Sequence, residues 1–249
     1  MVTEGNKLSL IKGYTNLFTL ASGITTWQAI TLYQDYVIAI YGWDLYVYNV
    51  NTWNLDTQAS AVANTSDIYQ ILTTKSFSSW KISIVVINTN PATTEDIKAY
   101  EYDGAAFTTM SFTSLSNKNF KCGAFFQGKL WLGGNPTHPS SLYTSRTGSV
   151  VNSGYIYDFS AYDSTSQNIG DGEPIVGIIT NGSELFVFKT NSFHKLISSN
   201  DTGSAVAYVF RQESSSWALN PHCILAVEQD IIFFDWDNFR RVSYEANLA

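Results

Sequence analysis

Ala124-Phe125-Phe126-Gln127-Gly128-Lys129-Leu130-Trp131-Leu132 is the stretch that decides the fold. Two short apolar runs flank Gln127-Gly128, a pair suited to a tight hairpin turn. Ser141-Leu142-Tyr143-Thr144-Ser145 follows as a third strand. The same unit recurs in both directions: β-branched and aromatic runs, broken by Gly, Asp or Asn turns. Residues 36–41 meet Gly42-Trp43-Asp44 and then 45–48. Residues 81–87 are answered by 97–102, Asp103-Gly104 and 107–112. Residues 174–180, Asn181-Gly182 and 184–188 repeat the scheme, and 223–227 with 231–234 open it a fifth time.

Anchored on one strand of the inner hairpin, the repeats start at Tyr36, Lys81, Lys129, Glu184 and Asp230, spaced 45, 48, 55 and 46 residues apart. Periods of about 40 to 50 residues with four short strands per unit are the signature of propeller blades. Cys122 lies seven residues before Lys129 and Cys223 seven before Asp230, so two rare residues share one repeat position. The expected architecture is an all-β propeller of about five four-stranded blades. It forms a single domain over residues 1–249, with blades at roughly 20–60, 67–115, 120–161, 172–213 and 217–245. The fifth unit is short, and an N-terminal strand within 7–12 is the candidate to complete it. A β-sandwich, with the same strand density, is the alternative. Helix signals are nearly absent, and the irregular stretches 60–67, 88–96, 135–140 and 162–173 read as rim or interblade loops.

Composition narrows the function classes. Charged residues make up 14 % of the 249-residue chain, against about 25 % in an average domain. Aromatics reach 15 %. That mix excludes a disordered chain, a coiled coil and a helical bundle. A net charge of −7 argues against affinity for a nucleic-acid backbone. Between Lys12 and Lys75 there is no Lys or Arg, while Asp35, Asp44, Asp56 and Asp67 fall in that span, so the first blade is anionic. The start carries no basic and apolar leader pattern, and the apolar run 82–87 is too short to span a bilayer, so no membrane partner is expected. Cys122 and Cys223 are expected to be reduced and buried. The Asn-x-Ser/Thr triplets at Asn64, Asn181 and Asn200 are what chance gives in so Asn-, Ser- and Thr-rich a chain.

Few residues suggest chemistry. His138, His194 and His222 have no metal-ligand spacing, and neither cysteine lies near another. Asp235-Trp236-Asp237-Asn238 opens like a calcium loop but lacks the later Gly and Glu, so an acidic turn is expected. Asp171-Gly172-Glu173-Pro174 places two carboxylates before an apolar strand. Asp35, Glu173 and Glu184 are the carboxylates that could take the roles of acid, base and nucleophile in a propeller glycosidase. Trp43 and Trp53 are the candidate platforms of a carbohydrate-binding surface. There is no G-x-S-x-G, P-loop or G-x-G-x-x-G. The expectation is no enzyme, no catalytic, cofactor-binding or metal residues, and no cofactor.

Two stretches carry a family resemblance. Gly128-Lys129-Leu130-Trp131-Leu132-Gly133-Gly134, Ser141-Leu142-Tyr143-Thr144-Ser145 and Tyr157-Asp158-Phe159 resemble a recurring blade in tail proteins of tailed bacteriophages. Gly172-Glu173-Pro174-Ile175-Val176-Gly177-Ile178, with residues 184–196, looks like the next blade of those proteins. Residues 220–223 and 230–235 are similar to the one after. The family is the propeller-containing hub, nozzle and DNA-stabilisation proteins of short-tailed phages, and the likeness covers roughly residues 120–245. The resemblance implies a non-enzymatic virion protein of the phage tail, made in the host bacterial cytoplasm. It implies several copies in a ring around the DNA conduit, in contact with portal, adaptor or other tail proteins, and no specific binding of nucleic acid. A carbohydrate-binding or glycoside-cleaving five-bladed propeller is the alternative.

Overall fold

The computed structural model describes residues 2–4, 7–9, 16–19, 27–52, 54–60, 62–63, 67–76, 80–148, 153–160, 165–169, 172–201, 206–214, 218–227, 230–235 and 238–243. Twenty-two strands and two short 3-10 turns account for the regular structure among them. A small antiparallel sheet comes first, of β1 (Val2–Glu4), β2 (Lys7–Ser9) and β3 (Asn16–Thr19). Blade 1 is β4 (Trp27–Tyr33), β5 (Tyr36–Tyr41), β6 (Asp44–Asn49) and β7 (Asn54–Ala59). Blade 2 is β8 (Tyr69–Lys75), β9 (Ile82–Asn88), β10 (Lys98–Tyr102) and β11 (Phe107–Met110). Blade 3 is β12 (Cys122–Phe126), β13 (Lys129–Gly133), β14 (Ser141–Thr144) and β15 (Thr165–Asn168). Blade 4 is β16 (Ile175–Asn181), β17 (Glu184–Lys189), β18 (Phe193–Asp201) and β19 (Val206–Ser214). Blade 5 has three described strands, β20 (Ile224–Val227), β21 (Asp230–Phe234) and β22 (Phe239–Ser243).

In each blade the strands pair antiparallel in chain order. The first strands then line up round an axis, β4 against β8, β8 against β12, β12 against β16 and β16 against β20. The chain is a five-bladed β-propeller.

The period of two in the second strands explains this arrangement. Ile84 and Val86 of β9 face blade 1, in a core with Ile38, Ile40, Leu45 and Val47. Val85 and Ile87 face the other way and join Phe120, Leu130 and Leu132 of blade 3. Trp131, between those leucines, points to blade 4 and packs with Ile178, Leu185 and Val187. Phe186 and Phe188 then meet Ile224, Ile231 and Phe233 of blade 5. Four cores thus separate five blades, and β9, β13 and β17 each contribute alternate residues to two of them. Trp131 is fully buried, donates its Nε1–H to the Phe126 carbonyl at 3.0 Å, and stands edge-on to Tyr208 with ring centroids 4.6 Å apart.

The repeat positions read from the sequence coincide with β5, β9, β13, β17 and β21, with only β9 starting one residue late. Gly123 pairs with Leu132 and Ile224 with Phe233, so Cys122 and Cys223 do occupy one repeat slot. Both thiols are free. Cys122 is buried, and its desolvation drives the thiol pKa far up. Cys223 is half-buried, not buried as expected, because it borders a cavity that Leu225, Ile232 and Phe239 also line.

Two boundaries differ from expectation. The outer strand of blade 3 is Thr165–Asn168, inside the 162–173 stretch that reads as loop and beyond the expected boundary at 161. Thr-Ser-Gln-Asn has no apolar alternation because an outermost strand needs none. Residues 153–157 form a 3-10 turn instead, and Asp158 makes an isolated parallel bridge with Thr113. The N-terminal strand Lys7–Ser9 has both edges taken, by β1 and by β3, so it does not add to blade 5. The continuation to residue 12 lies outside the described residues.

A glycine measures how closely blades 2 and 3 approach. A Cβ on Gly123 would lie 2.7 Å from the Trp131 carbonyl oxygen and 3.0 Å from Leu72 Cδ1. Gly123→Ala is expected to cost about 1–3 kcal/mol, because the obstructing atom is backbone and the strand pair must shift. Trp131→Ala should cost about 3–5 kcal/mol through the void it leaves. Urea unfolding followed by tryptophan fluorescence and circular dichroism checks both; a loss below 0.5 kcal/mol for either (roughly the scatter of a surface substitution) would contradict the packing described.

Candidate functional site

The chain contains five prolines, and all five line one cavity. Its volume is about 240 Å³ and its wall is mostly apolar. Four consecutive blades build it at one end of the strands. Blade 2 supplies Thr89 and Pro91 from the β9–β10 loop; blade 3 supplies Lys121, Gly134, Pro136 and Pro139. Blades 4 and 5 supply the entries to their first strands, at Pro174-Ile175-Val176 and Leu219-Asn220-Pro221.

Three of these loops use one device. Asn90-Pro91, Asn135-Pro136 and Asn220-Pro221 each place an asparagine directly before a proline. In each, the asparagine Oδ1 accepts the backbone N–H two residues on: Ala92 at 3.0 Å, Thr137 at 2.9 Å and His222 at 2.9 Å. The proline fixes φ and the asparagine side chain closes the turn, so the wall is rigid before anything binds. Gly134, at φ +70°, lets the β13–β14 loop pass the Ile175 carbonyl and Lys121, where a Cβ would lie 3.0 Å from each. The Ile175 N–H donates to the Pro139 carbonyl at 2.8 Å and ties blade 3 to blade 4.

Beneath the blade 2 loop is a polar cluster. Asn88 Nδ2 donates to Glu95 Oε2 at 2.7 Å and to Asp67 Oδ2 at 2.9 Å, and Asn90 Nδ2 donates to Asp67 Oδ1 at 2.7 Å. Tyr69 OH donates to Glu95 Oε2 at 2.6 Å and Lys98 Nζ to Glu95 Oε1 at 2.9 Å. Burial pushes the Glu95 carboxyl up, but these bonds outweigh it and hold the group below its ordinary value. Lys121 Nζ, largely buried, donates to the Thr93 carbonyl at 2.9 Å; desolvation lowers its pKa against the pull of Glu95 and Asp67. His222 Nε2 lies 3.0 Å from Thr89 Oγ1 and joins blade 5 to blade 2, and desolvation lowers its pKa.

The candidate carboxylates are not assembled into a catalytic set. Glu173 sits before β16, where Thr190 Oγ1 donates to it. Glu184 opens β17 at the far end of the same hairpin and pairs with Lys195. The strand between them keeps the two about 20 Å apart at 3.3 Å per residue, against the roughly 5–10 Å of glycosidase pairs. Asp35 lies exposed in the β4–β5 turn of blade 1. His138 is exposed in the β13–β14 loop, and His194 is buried with its Nε2 3.0 Å from Ser192 Oγ. Asp235 accepts from the Asn238 N–H at 2.9 Å and from Arg240 Nε at 2.7 Å, so it closes the expected acidic turn. Trp236 and Asp237, like Asp171, Asn64 and Trp53, lie outside the described residues. Trp43 is 62 % exposed at the β5–β6 turn. Among the described residues no three His, Cys, Asp or Glu side chains are placed to hold a metal, and no helix is long and apolar enough to cross a membrane. The cavity itself escapes notice in the sequence when the loops are read singly; the signal is the threefold Asn-Pro.

Glu95 gives the site a pH dependence. Its folded pKa lies below the ordinary 4.5, so its stabilisation is complete above that value and is lost as pH falls through the folded value. Glu95→Gln should cost about 1 kcal/mol at pH 7, since the half-exposed carboxylate is partly screened. It should also flatten the loss of stability below about pH 4.5. Urea midpoints of both proteins from about pH 3 to 7 check this, and parallel curves would contradict it.

No family profile and no curated protein sequence matches the chain. Among solved structures it is similar to the β-propeller domain of Cps50 (Swd1) from Myceliophteria thermophila, with TM-score 0.58 and 9 % identity over 95 % of this chain and 76 % of that one. It is also similar to the computationally designed Ika8 protein, with TM-score 0.52 and 9 % identity over 96 % of this chain and 78 % of that one. A third likeness is to the extracellular domain of a candidate one-component system, BT4673 of B. thetaiotaomicron, with TM-score 0.51 and 14 % identity over 89 % of this chain. The chain spans 28 % of that protein. At these identities the likeness carries the fold alone, a β-propeller.

Proposed function

We propose that this chain is a non-enzymatic structural component of a short-tailed phage tail, a hub, nozzle or neck propeller present in several copies around the DNA conduit. The observation that carries the reading is register. The segments that resemble phage tail blades each include the second strand of a blade, in three successive blades: β13, β17 and β21. The cavity supports it. A rigid apolar hollow suits one apolar side chain of a neighbouring tail protein, which would enter a pocket already formed. The scarcity of charge and the anionic first blade suit a wall that DNA passes without sticking.

Quantitative mass spectrometry of purified virions tests the reading. The expected result is a fixed copy number consistent with a ring, about six or twelve. Presence only in infected-cell cytoplasm, or a glycosidase activity abolished by alanine at Asp35, Glu173 and Glu184, would overturn it. The conduit role also requires that duplex DNA bind more weakly than about 1 µM near 150 mM salt, which filter binding measures. The exposed Trp43 favours a second reading, a carbohydrate-binding propeller, and an oligosaccharide array would reveal it.

A further inference from the structure

The wall of the five-proline hollow is peculiar in composition. None of its described residues is aromatic, in a chain of which aromatics make up 15 %. Two larger cavities, of about 560 and 380 Å³, each have phenylalanine on the wall, Phe186 in one and Phe233, Phe234 and Phe239 in the other. Here the rings are prolines instead. The C–H groups of a proline ring beside the amide nitrogen carry partial positive charge, and the face of an aromatic ring is negative. Flat proline and aromatic rings therefore pack on one another well, ordinarily with the prolines on the ligand and the aromatics on the receptor. In this hollow the receptor holds the prolines. Lys121, the one charged side chain among the described wall residues, acts in the same sense. It is buried, with its ammonium donating to the Thr93 carbonyl at 2.9 Å. The nearby acids, Glu95 and Asp67, are bonded to Asn88, Asn90 and Lys98 beneath the blade 2 loop and are not among the described wall residues. A cation on the wall favours the face of a π system over a saturated group of the same size.

We propose that the hollow is a receptor for one aromatic side chain, up to the size of an indole, presented by a partner protein. Volume sets the size: a dry apolar cavity of about 150 Å³ takes one benzene ring, and this one, at about 240 Å³, has room for two fused rings. Polar alternatives find little to bind. The Pro139 and Pro174 carbonyls accept from Ile175 and Thr190, and Asn220 Oδ1 accepts from the His222 N–H. The Asn-Pro turns hold the proline rings in place beforehand, so seating an aromatic ring orders little of this chain. The identity of the partner rests on the tail reading above, in which a neighbouring tail protein inserts an apolar side chain. The inference deepens that reading by naming the kind of residue that enters. The preference for an aromatic over a saturated ring stands on the wall alone.

Proline-selective carbon-13 labelling of the full chain makes the test direct, because all five prolines line the hollow. Titration with N-acetyl-L-tryptophanamide is expected to produce upfield ring-current shifts at most of the proline signals. The expected dissociation constant is about 1–10 mM, ordinary for a single side chain. N-acetyl-L-phenylalaninamide is expected to bind about threefold or more tighter than N-acetyl-L-cyclohexylalaninamide, although the saturated ring is the more apolar. Pro136→Glu, at an exposed position of the wall, should weaken binding about tenfold, and circular dichroism checks that the variant is folded. Proline signals that stay unmoved up to the solubility limit overturn the inference. So does a cyclohexyl compound that binds as tightly as the phenyl one, since the hollow then reads apolar bulk alone. So does a folded Pro136→Glu variant that binds like the wild type. Proline shifts that arise on raising the protein concentration alone also overturn it, since the ring then belongs to a second copy. If the shifts appear as expected while virions lack the protein, the receptor stands and the tail reading falls. If the protein is found in virion rings while the amides leave the prolines unmoved, the tail reading stands and the receptor falls.

Discussion

Every middle strand of this molecule is apolar on both sides, and both sides have to be covered. In β9 all seven residues, Ile82 to Asn88, are buried, and in β13 all five. A sheet built on such a strand cannot end at a solvent face, since each exposed Leu or Ile forgoes about 1.5–3 kcal/mol. It needs a second sheet in front and a third behind. Stacking twisted sheets with that requirement turns the stack about an axis, and the propeller is the outcome. The cores between successive blades, the inner position of the first strands and the gathering of rim loops at one end all follow.

The requirement also sets which glycines and polar groups the interior admits. Gly123 exists because β12 passes within contact of its own partner strand and of Leu72 and Ile87 in blade 2. Gln70 bridges the same junction, donating to the Gly123 carbonyl at 3.2 Å and accepting its N–H at 3.0 Å. Gln167 does likewise between blades 3 and 4, with the carbonyl and N–H of Tyr208. Two glutamines, each satisfied through both ends of its amide, link blades that have no backbone ladder in common.

What the sequence discloses follows the same division. The hairpin turns and the alternation of Leu130, Trp131 and Leu132, or of Leu185 to Phe188, are local signals, and they locate β13 and β17 to the residue. The outer strand Thr165–Asn168 is held by pairing with β14 and is polar throughout, so no pattern in its own four residues announces it. The N-terminal strand shows the converse limit. Its composition permits a strand, but which edge it joins depends on β1 and β3, which lie on either side of it. The cavity is legible only collectively: each proline punctuates a different loop position, and it takes the fold to bring residues 91, 136, 139, 174 and 221 to one rim.

That rim has a thermodynamic consequence. Proline has no N–H to offer, and the Pro139 and Pro174 carbonyls already accept from Ile175 and Thr190. The backbone around the hollow therefore has little left with which to read a polar group. Recognition there rests on shape and dispersion, in a space whose walls are fixed by Asn-Pro turns before contact. Filling a preformed apolar hollow of this kind freezes little further motion in the protein. Its calorimetric signature is a negative heat-capacity change with favourable enthalpy near room temperature, the opposite of the entropy-driven pattern of loose apolar surfaces meeting in water.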